Sequence, residues 1–300
     1  MKLAITGGTG FVGSHLIERA VAAGHAIRAL ARRSQSERPG VSWIEGALDR
    51  PDALARLVEG CEAVIHVAGV INGSPDAFRL GNIVGTEAML DAAAGAGITR
   101  FIHISSLAAR EPQLSAYGWS KRESEDPVIA AGGDWTIIRP PAIYGPRDRE
   151  MLELFRLARR RVVPLPPGGR LSVIHVTDLC DLILACLHRA DSHGRTFEPD
   201  DGRPGGWGTT ELARAIGTAV GTKVLPLPLS RRLLVGVSAA ERLVRGRKAK
   251  LTRDRINYFT HPDWTASAHA LPPAELWQPR IPTEQGLAAT ARWYRAHNWL

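Results

Sequence analysis

One short segment near the start of the chain limits the fold more than anything that follows. Leu3-Ala4-Ile5-Thr6 is a mostly apolar run that leads straight into Gly7-Gly8-Thr9-Gly10-Phe11-Val12-Gly13, and an amphipathic pattern over His15–Ala23 follows. Strand, glycine turn and helix in that order make a phosphate-binding turn. Gly8 and Gly10 permit tight turning and close approach of backbone to a pyrophosphate. Gly13 lets the helix lie against the strand, and the helix N-terminus faces the anion. The segment predicts a dinucleotide site, with Gly7, Thr9, Gly10, Phe11, Val12 and Gly13 at the ligand.

The first half of the 300 residues alternates strand and helix at βαβ spacing. Strands are expected at Leu3–Thr6, Ala26–Ala31, Val41–Glu45, Ala63–Val67, Arg100–Ser105 and Trp135–Arg139, and helices between them, notably Asp76–Ala94 and Tyr117–Ala131. Several of these strands are continuous apolar runs, as strands covered on both faces must be. The expected fold is α/β, a doubly wound parallel Rossmann sheet with a smaller C-terminal substrate lobe. After Gly145-Pro146 the texture changes, with prolines clustered at 164–167, 226–228 and 272–273. Leu171–His175 and Asp178–His188 read as a strand–helix pair returning to the sheet. The expected division is therefore 1–190 for the nucleotide-binding domain, with 151–170 contributing to the substrate side, and 191–300 for the substrate lobe.

Charge and cysteine usage narrow the classes. The formal net charge is +8, but the basic residues are scattered. The densest stretches, Arg159-Arg160-Arg161 and Arg242–Arg255, lack the interleaved aromatics of a single-strand binder. They read as solvated helix faces, with attraction to an anionic substrate or phospholipid as the next reading; no nucleic-acid partner is expected. No apolar run approaches the ~20 residues of a membrane span. The first strand begins at residue 2, which predicts no secretory leader and a cytoplasmic protein. Cys61, Cys180 and Cys186 are unevenly spaced in apolar surroundings and read as reduced core thiols. His66, His103 and His175 sit in apolar strands without metal-ligand spacing, and no metal site is expected.

The end of the second strand speaks to the nucleotide. An acidic residue about 20 positions beyond a glycine turn of this kind usually binds the ribose 2′-OH of NAD. Here the region reads Arg28-Ala29-Leu30-Ala31-Arg32-Arg33-Ser34. Two guanidiniums stand where the carboxylate would be, and they suit a 2′-phosphate. NADP(H) is the expected cofactor, with NAD(H) as the alternative.

Tyr117-Gly118-Trp119-Ser120-Lys121 sets a phenol and an ammonium four residues apart on one helix face. A free tyrosine has a pKa of about 10, and a nearby cation favours its anion. A shift of three units would take about 4 kcal/mol, which a close lysine and a bound nicotinamide cation can supply together. In this context the sequence resembles the short-chain dehydrogenase/reductases, in particular their extended, epimerase-like branch, over the whole chain. Thr6–Gly13 looks like the family's nucleotide turn and His66-Val67-Ala68-Gly69 like its turn after the fourth strand. Asn82-Ile83-Val84-Gly85-Thr86 resembles its helix motif, and Ile104-Ser105-Ser106 the strand end that carries its hydroxyl. Arg139-Pro140-Pro141-Ala142-Ile143-Tyr144-Gly145-Pro146 and His175-Val176-Thr177-Asp178 are similar to signatures of the extended branch. The closing Trp277-Gln278-Pro279, Gly286-Leu287 and Trp293-Tyr294 also resemble its C-terminal lobe. The resemblance implies that Tyr117 is the general acid/base, that Lys121 lowers its pKa and holds the nicotinamide ribose, that Ser106 bonds the reacting oxygen, and that Asn82 orders the site. It implies further cofactor contacts from Leu48, Val67, Ala68, Gly69 and Pro140.

Three departures shape the expected activity. Gly46-Ala47-Leu48 lacks the aspartate the family often carries near the adenine. Only ten residues separate Ser106 from Tyr117, which is short for sugar-nucleotide epimerases. Leu107-Ala108-Ala109 lacks the acid–base pair of the sugar dehydratases. The expected protein is an NADP(H)-dependent oxidoreductase interconverting a carbonyl and a secondary alcohol on a small hydrophobic substrate. A sugar-nucleotide epimerase is the first alternative and a non-catalytic nucleotide-binding scaffold the second. Apolar segments Val162–Leu165 and Leu225–Leu229 are expected near the pocket. Arg147, Arg149 and Arg156 are the residues that could instead clamp a diphosphate. The partner is a small molecule, and a homodimer is compatible with this reading.

Overall fold

The computed structural model describes residues 1–166, 168–230, 232–236 and 253–300. The expected basic helix face at Arg242–Arg255 therefore lies, up to residue 252, outside the described residues. The chain forms two compact units, each discontinuous in sequence: Met1–Pro140 with Val176–Pro199 and Ala268–Gln278, and Pro141–His175 with 200–267 and Pro279–Leu300.

The first unit is built on a seven-stranded sheet. Its strands are β1 (Lys2–Thr6), β2 (Ala26–Ala31), β3 (Val41–Glu45), β4 (Ala63–His66), β5 (Arg100–Ile104), β6 (Asp134–Ile138) and the edge strand Arg195–Phe197. Their order is Arg195–Phe197, β6, β5, β4, β1, β2, β3, and every pair is parallel. β4 and β5 are buried at every residue, which accounts for their mostly apolar sequences; the polar exceptions, His66, Arg100 and His103, are hydrogen-bonded inside the unit. Helices α1 (Phe11–Ala22), α2 (Pro51–Val58), α3 (Pro75–Phe78), α4 (Gly85–Gly95) and α5 (Ala116–Ala130) belong to this unit. α1 buries Gly13, Leu16, Ile17 and Ala20, the i, i+3, i+4, i+7 stripe of a helix with one covered face. Strand order reverses between β1 and β4, and in such sheets ligands lie at the carboxyl ends beside that reversal. The glycine turn follows β1 and the His66–Gly69 turn follows β4, so the sheet brings both to that point.

Three expectations differ from the structure. The strand near 171–175 does not return to the large sheet; Val173–His175 pairs with Ala142–Tyr144 in the second unit. The seventh strand is instead Arg195–Phe197, beside β6. A single cut at residue 190 consequently does not follow the compact units, since 141–175 group with the second and 191–199 with the first. The expected helix Asp76–Ala94 is also broken: Arg79–Val84 is a π-helical turn between α3 and α4.

The second unit contains α6 (Leu152–Arg159) and α8 (Thr209–Val220), with α7 (Val176–Cys186) belonging to the first unit, and a closing helix Thr283–Ala296. Tyr144, Phe155, Trp207, Leu287 and Tyr294 form its buried centre. The Tyr294 hydroxyl donates to Asp148 O at 2.7 Å, and Trp207 Nε1 donates to Asp201 at 2.7 Å, so both polar tips are satisfied. Val162–Leu165 and Leu225–Pro228 pair with each other as a two-stranded parallel ribbon.

Candidate active site

The glycine turn forms a cradle open to an anion. Gly7 takes φ +70°, and its carbonyl accepts from Gly10 N at 2.9 Å, closing the turn. A β-carbon on Gly13 would sit 2.1 Å from Gly7 O, so only glycine lets α1 start this close to the turn. No side chain caps α1, and its first turn holds no acidic residue. The N–H groups that open a helix have no partner within it, and here they meet no competing carboxylate. Thr9 and Gly10 are exposed, while Phe11 and Val12 are half-buried at the helix start. The donor set and the absent side-chain bulk fit a dinucleotide pyrophosphate.

The β4 turn and α5 meet beside it. Lys121 is buried, and its ammonium donates to Ile104 O, at the end of β5, at 2.7 Å. A β-carbon on Gly69 would lie 3.8 Å from Lys121 Nζ and 3.1 Å from Asn82 Oδ1, so the glycine leaves space at the ammonium. Asn82, on the π turn, accepts from Val70 N at 2.6 Å and donates to Val70 O at 3.0 Å and to Ser120 Oγ at 2.8 Å. Ser120 Oγ donates to Tyr117 O at 2.8 Å. Asn82 thus ties the β4 turn to the first turn of α5. Tyr117 lies beside Phe78, with ring centroids 6.0 Å apart. Ser106 ends the β5 extension and caps the short turn Leu107–Arg110, accepting from Ala108 N at 3.2 Å, which leaves its O–H available to donate. Leu107 N bonds Pro140 O at 3.0 Å, fixing Pro140 at the same strand end.

Residues 3–198 match the NAD dependent epimerase/dehydratase family. A ceramide reductase from Caulobacter vibrioides is 39% identical over 99% of this chain and 96% of its own. The chain belongs to the extended short-chain dehydrogenase/reductases. A 4-hydroxy-2-methyl-3-oxo-4-farnesyl-3,4-dihydroquinoline-1-oxide ketoreductase from Stigmatella aurantiaca is 30% identical, covering 68% of this chain and 69% of its own. Among solved structures, MoeE5 in complex with UDP-glucose and NAD superposes with a TM-score of 0.76 at 20% identity, covering 99% of each chain. As a member of this family, the chain is an NAD(P)-dependent enzyme of the oxidoreductase and epimerase type.

Electrostatics in this extended short-chain site follow from burial. Desolvation lowers the Lys121 pKa to about 8, and the carboxylate of Glu125, one turn on, opposes it. Glu125 is itself buried; it accepts from Ser105 Oγ at 2.5 Å and takes a two-pronged contact from Arg139 at 2.8 and 2.6 Å. Glu198 extends the network to Arg139 and Arg110. Burial, then the Lys121 charge, depresses His66 to about 3. Its bonds define one tautomer. Thr86 spends its hydroxyl proton on Asn82 O at 2.6 Å, so it accepts from His66 Nε2–H at 3.2 Å. Thr6 Oγ1 accepts from Ala68 N at 3.1 Å and donates to His66 Nδ1 at 2.8 Å. A directed chain of donors therefore runs from the β4 turn through Thr6, His66 and Thr86 to the backbone of Asn82. His103 bonds Ser124, and His175 packs edge-on against Tyr144 within the second unit.

At the expected adenine end, Arg32 and Arg33 are exposed beyond β2. Arg33 lines a cavity of about 740 Å³ with Arg38 and Trp43. Arg32 is not among its lining residues. Leu48 lies against α4, where a β-carbon on Gly85 would meet it at 2.6 Å. In the second unit, Arg149 stacks over the Trp299 ring at 4.8 Å, and Arg156 bonds Glu153 at 2.8 Å and Trp299 O. Sequence reasoning missed Glu125 and Arg38, and it gave Thr86, quoted within the Asn82–Thr86 motif, no part in the site. Glu125 carried a signal, since it falls one helical turn beyond Lys121; Arg38 sits in a loop without a pattern.

Proposed function

We propose that this enzyme is an NADP(H)-dependent reductase of long-chain, ceramide-like carbonyl compounds. The observation that carries the reading is the full-length likeness to the Caulobacter ceramide reductase. The engagement of Arg149 and Arg156 with Trp299 and Glu153 supports it over a sugar nucleotide, because a diphosphate clamp would have to break those contacts. Arg33 and Arg38 are the candidates for a 2′-phosphate, joined by Arg32.

A bound nicotinamide supplies the hydride. In this reading Tyr117 gives its hydroxyl proton to the oxygen that gains charge as the carbonyl carbon is reduced. Lys121, charged below a pH of about 8, stabilises the resulting phenolate and holds the ribose. Ser106 donates a hydrogen bond to the same substrate oxygen. Asn82 is a positioning residue, holding the β4 turn and the start of α5 in register. The glycine turn and α1 hold the pyrophosphate.

The test is a substrate panel run with NADPH: N-acylated long-chain amino ketones, aryl ketones and UDP-sugars. NADPH consumption with the long-chain ketones is the expected result. Epimerisation of a UDP-sugar without net cofactor consumption, and no ketone turnover, overturns the reading.

A further inference from the structure

The second unit carries an apolar face that nothing in the described residues covers. In the ribbon, Leu225 stands opposite Val162 and Leu227 opposite Pro164. Alternation sends Val163 inward, where it is buried, and puts its neighbours on the outer face. Val162, Leu225 and Leu227 are 42%, 64% and 45% exposed. The chain then continues into a short helical turn, opened by Ser230, which bonds Leu233 N, and Leu233 and Val235 are also exposed. Large apolar side chains clustered on an exposed surface mark an interaction site.

The residues framing this face are basic. Arg159, Arg160 and Arg161 lead into one strand, Lys223 precedes the other and Arg232 follows it; all are exposed. No ion pair holds any of them among the described residues. Neither sequence segment contributes an acid: there is no Asp or Glu between Glu153 and Asp178, nor between Glu211 and Glu241. Arg161 adopts φ +65° at the end of α6, a position where glycine is cheaper. The chain places a guanidinium there.

We infer that this ribbon docks on an anionic lipid bilayer, with Leu225, Leu227 and Val162 entering the headgroup boundary and the five cations meeting lipid phosphates. Apolar side chains framed by lysine and arginine are the pattern of interfacial membrane binding. Charge argues against a second copy of the chain, because two-fold pairing of this face would set arginine against arginine. The face also lacks the aromatic platforms of a single-strand nucleic-acid surface. Among the described residues no helix is long and apolar enough to cross a membrane, and the contact inferred here is a peripheral one. Such a surface would bring the enzyme to the phase where a long-chain substrate resides.

The experiment is co-sedimentation of the full-length protein with phosphatidylcholine vesicles, and with vesicles of phosphatidylcholine and phosphatidylglycerol in equal parts. Binding is expected to the mixed vesicles and not to phosphatidylcholine alone, and it should weaken with added salt. Arg160→Gln with Lys223→Gln should weaken it about 25-fold, taking roughly fivefold for each basic residue at an anionic surface. Leu225→Ser with Leu227→Ser should weaken it by about tenfold or more through lost apolar burial. Circular dichroism and cofactor titration serve as fold controls for these exposed positions. Absence of binding to the mixed vesicles, or binding that neither pair changes, overturns the inference. So does a dimer in sedimentation velocity that the serine pair dissociates. Vesicle binding needs no turnover, so this result stands or falls separately from the reductase reading.

Discussion

His66 links the stability of the site to pH in a way that one variant isolates. The ring is fully buried between Thr6 and Thr86, and its pKa falls from 6.5 to about 3 because burial disfavours the imidazolium and the Lys121 charge adds to this. The folded pKa lies below the unfolded one, so the unfolded chain takes up the proton first. Stability is therefore lost as pH falls through 6.5, and the loss continues to about 3. At about 1.4 kcal/mol per unit, the full effect is about 5 kcal/mol, of which about 2 kcal/mol has accrued by pH ~5. His66→Gln keeps an N–H for Thr86 and removes the titrating ring. Losing the acceptor for Thr6 should cost about 1–3 kcal/mol at neutral pH. The decisive quantity is a difference of differences: urea stability, followed by tryptophan fluorescence, at about pH 7 and pH 5 in both proteins. The wild type should lose about 2 kcal/mol more than the variant over that interval. Asp148, raised to about 6 by burial, titrates in both proteins and cancels from the comparison, whereas His103, pushed well below its usual range by burial and then by the Lys121 and His66 charges, loses only the last of these contributions in the variant. Equal losses in the two proteins would refute the buried neutral tautomer.

Three other outcomes follow from the same geometry. Tyr117→Phe should lower kcat by about 10²–10⁴-fold while cofactor affinity, read by fluorescence titration, stays within a few-fold; near-normal turnover removes the assigned proton donor. Glu125→Gln removes the negative charge that favours the Lys121 ammonium, so Lys121 should titrate further below about 8 and the alkaline limb of the pH–rate profile should move to lower pH. An unshifted limb would separate Glu125 from Lys121 and leave it its contacts with Arg139 and Ser105. Wild-type protein should bind NADPH about 10- to 150-fold more tightly than NADH, a margin typical of charge-assisted contacts, and Arg33→Ser with Arg38→Ser should erase most of it. Tighter NADH binding to the wild type rules out the 2′-phosphate assignment.

What could be read from sequence was whatever depends on neighbours along the chain. β4 and β5 are legible because both faces of a parallel strand are covered, so every residue must be apolar or internally bonded. The glycine turn is legible because phosphate contact needs missing side chains at fixed spacing. The break in the expected Asp76–Ala94 helix was not legible, because its cause lies elsewhere in the chain. Gly81 and Gly85 pack so closely against Val70 and Leu48 that a β-carbon would approach to 2.4 and 2.6 Å. The π turn Arg79–Val84, which contains Gly81 and ends at Gly85, inserts a residue, and Asn82 on that turn is buried against Val70 and Ser120. The edge strand Arg195–Phe197 escaped for a different reason, since three residues are too few for a periodic pattern. The apolar pairs Val162–Leu165 and Leu225–Leu229 show the limit most clearly. Their composition reads as pocket or core, but a two-stranded ribbon covers one face only, and alternation does not say which. The structure buries Val163 and leaves Leu225 and Leu227 outside, so the same residues that suggested a lined pocket become the exposed face whose partner the vesicle experiment seeks.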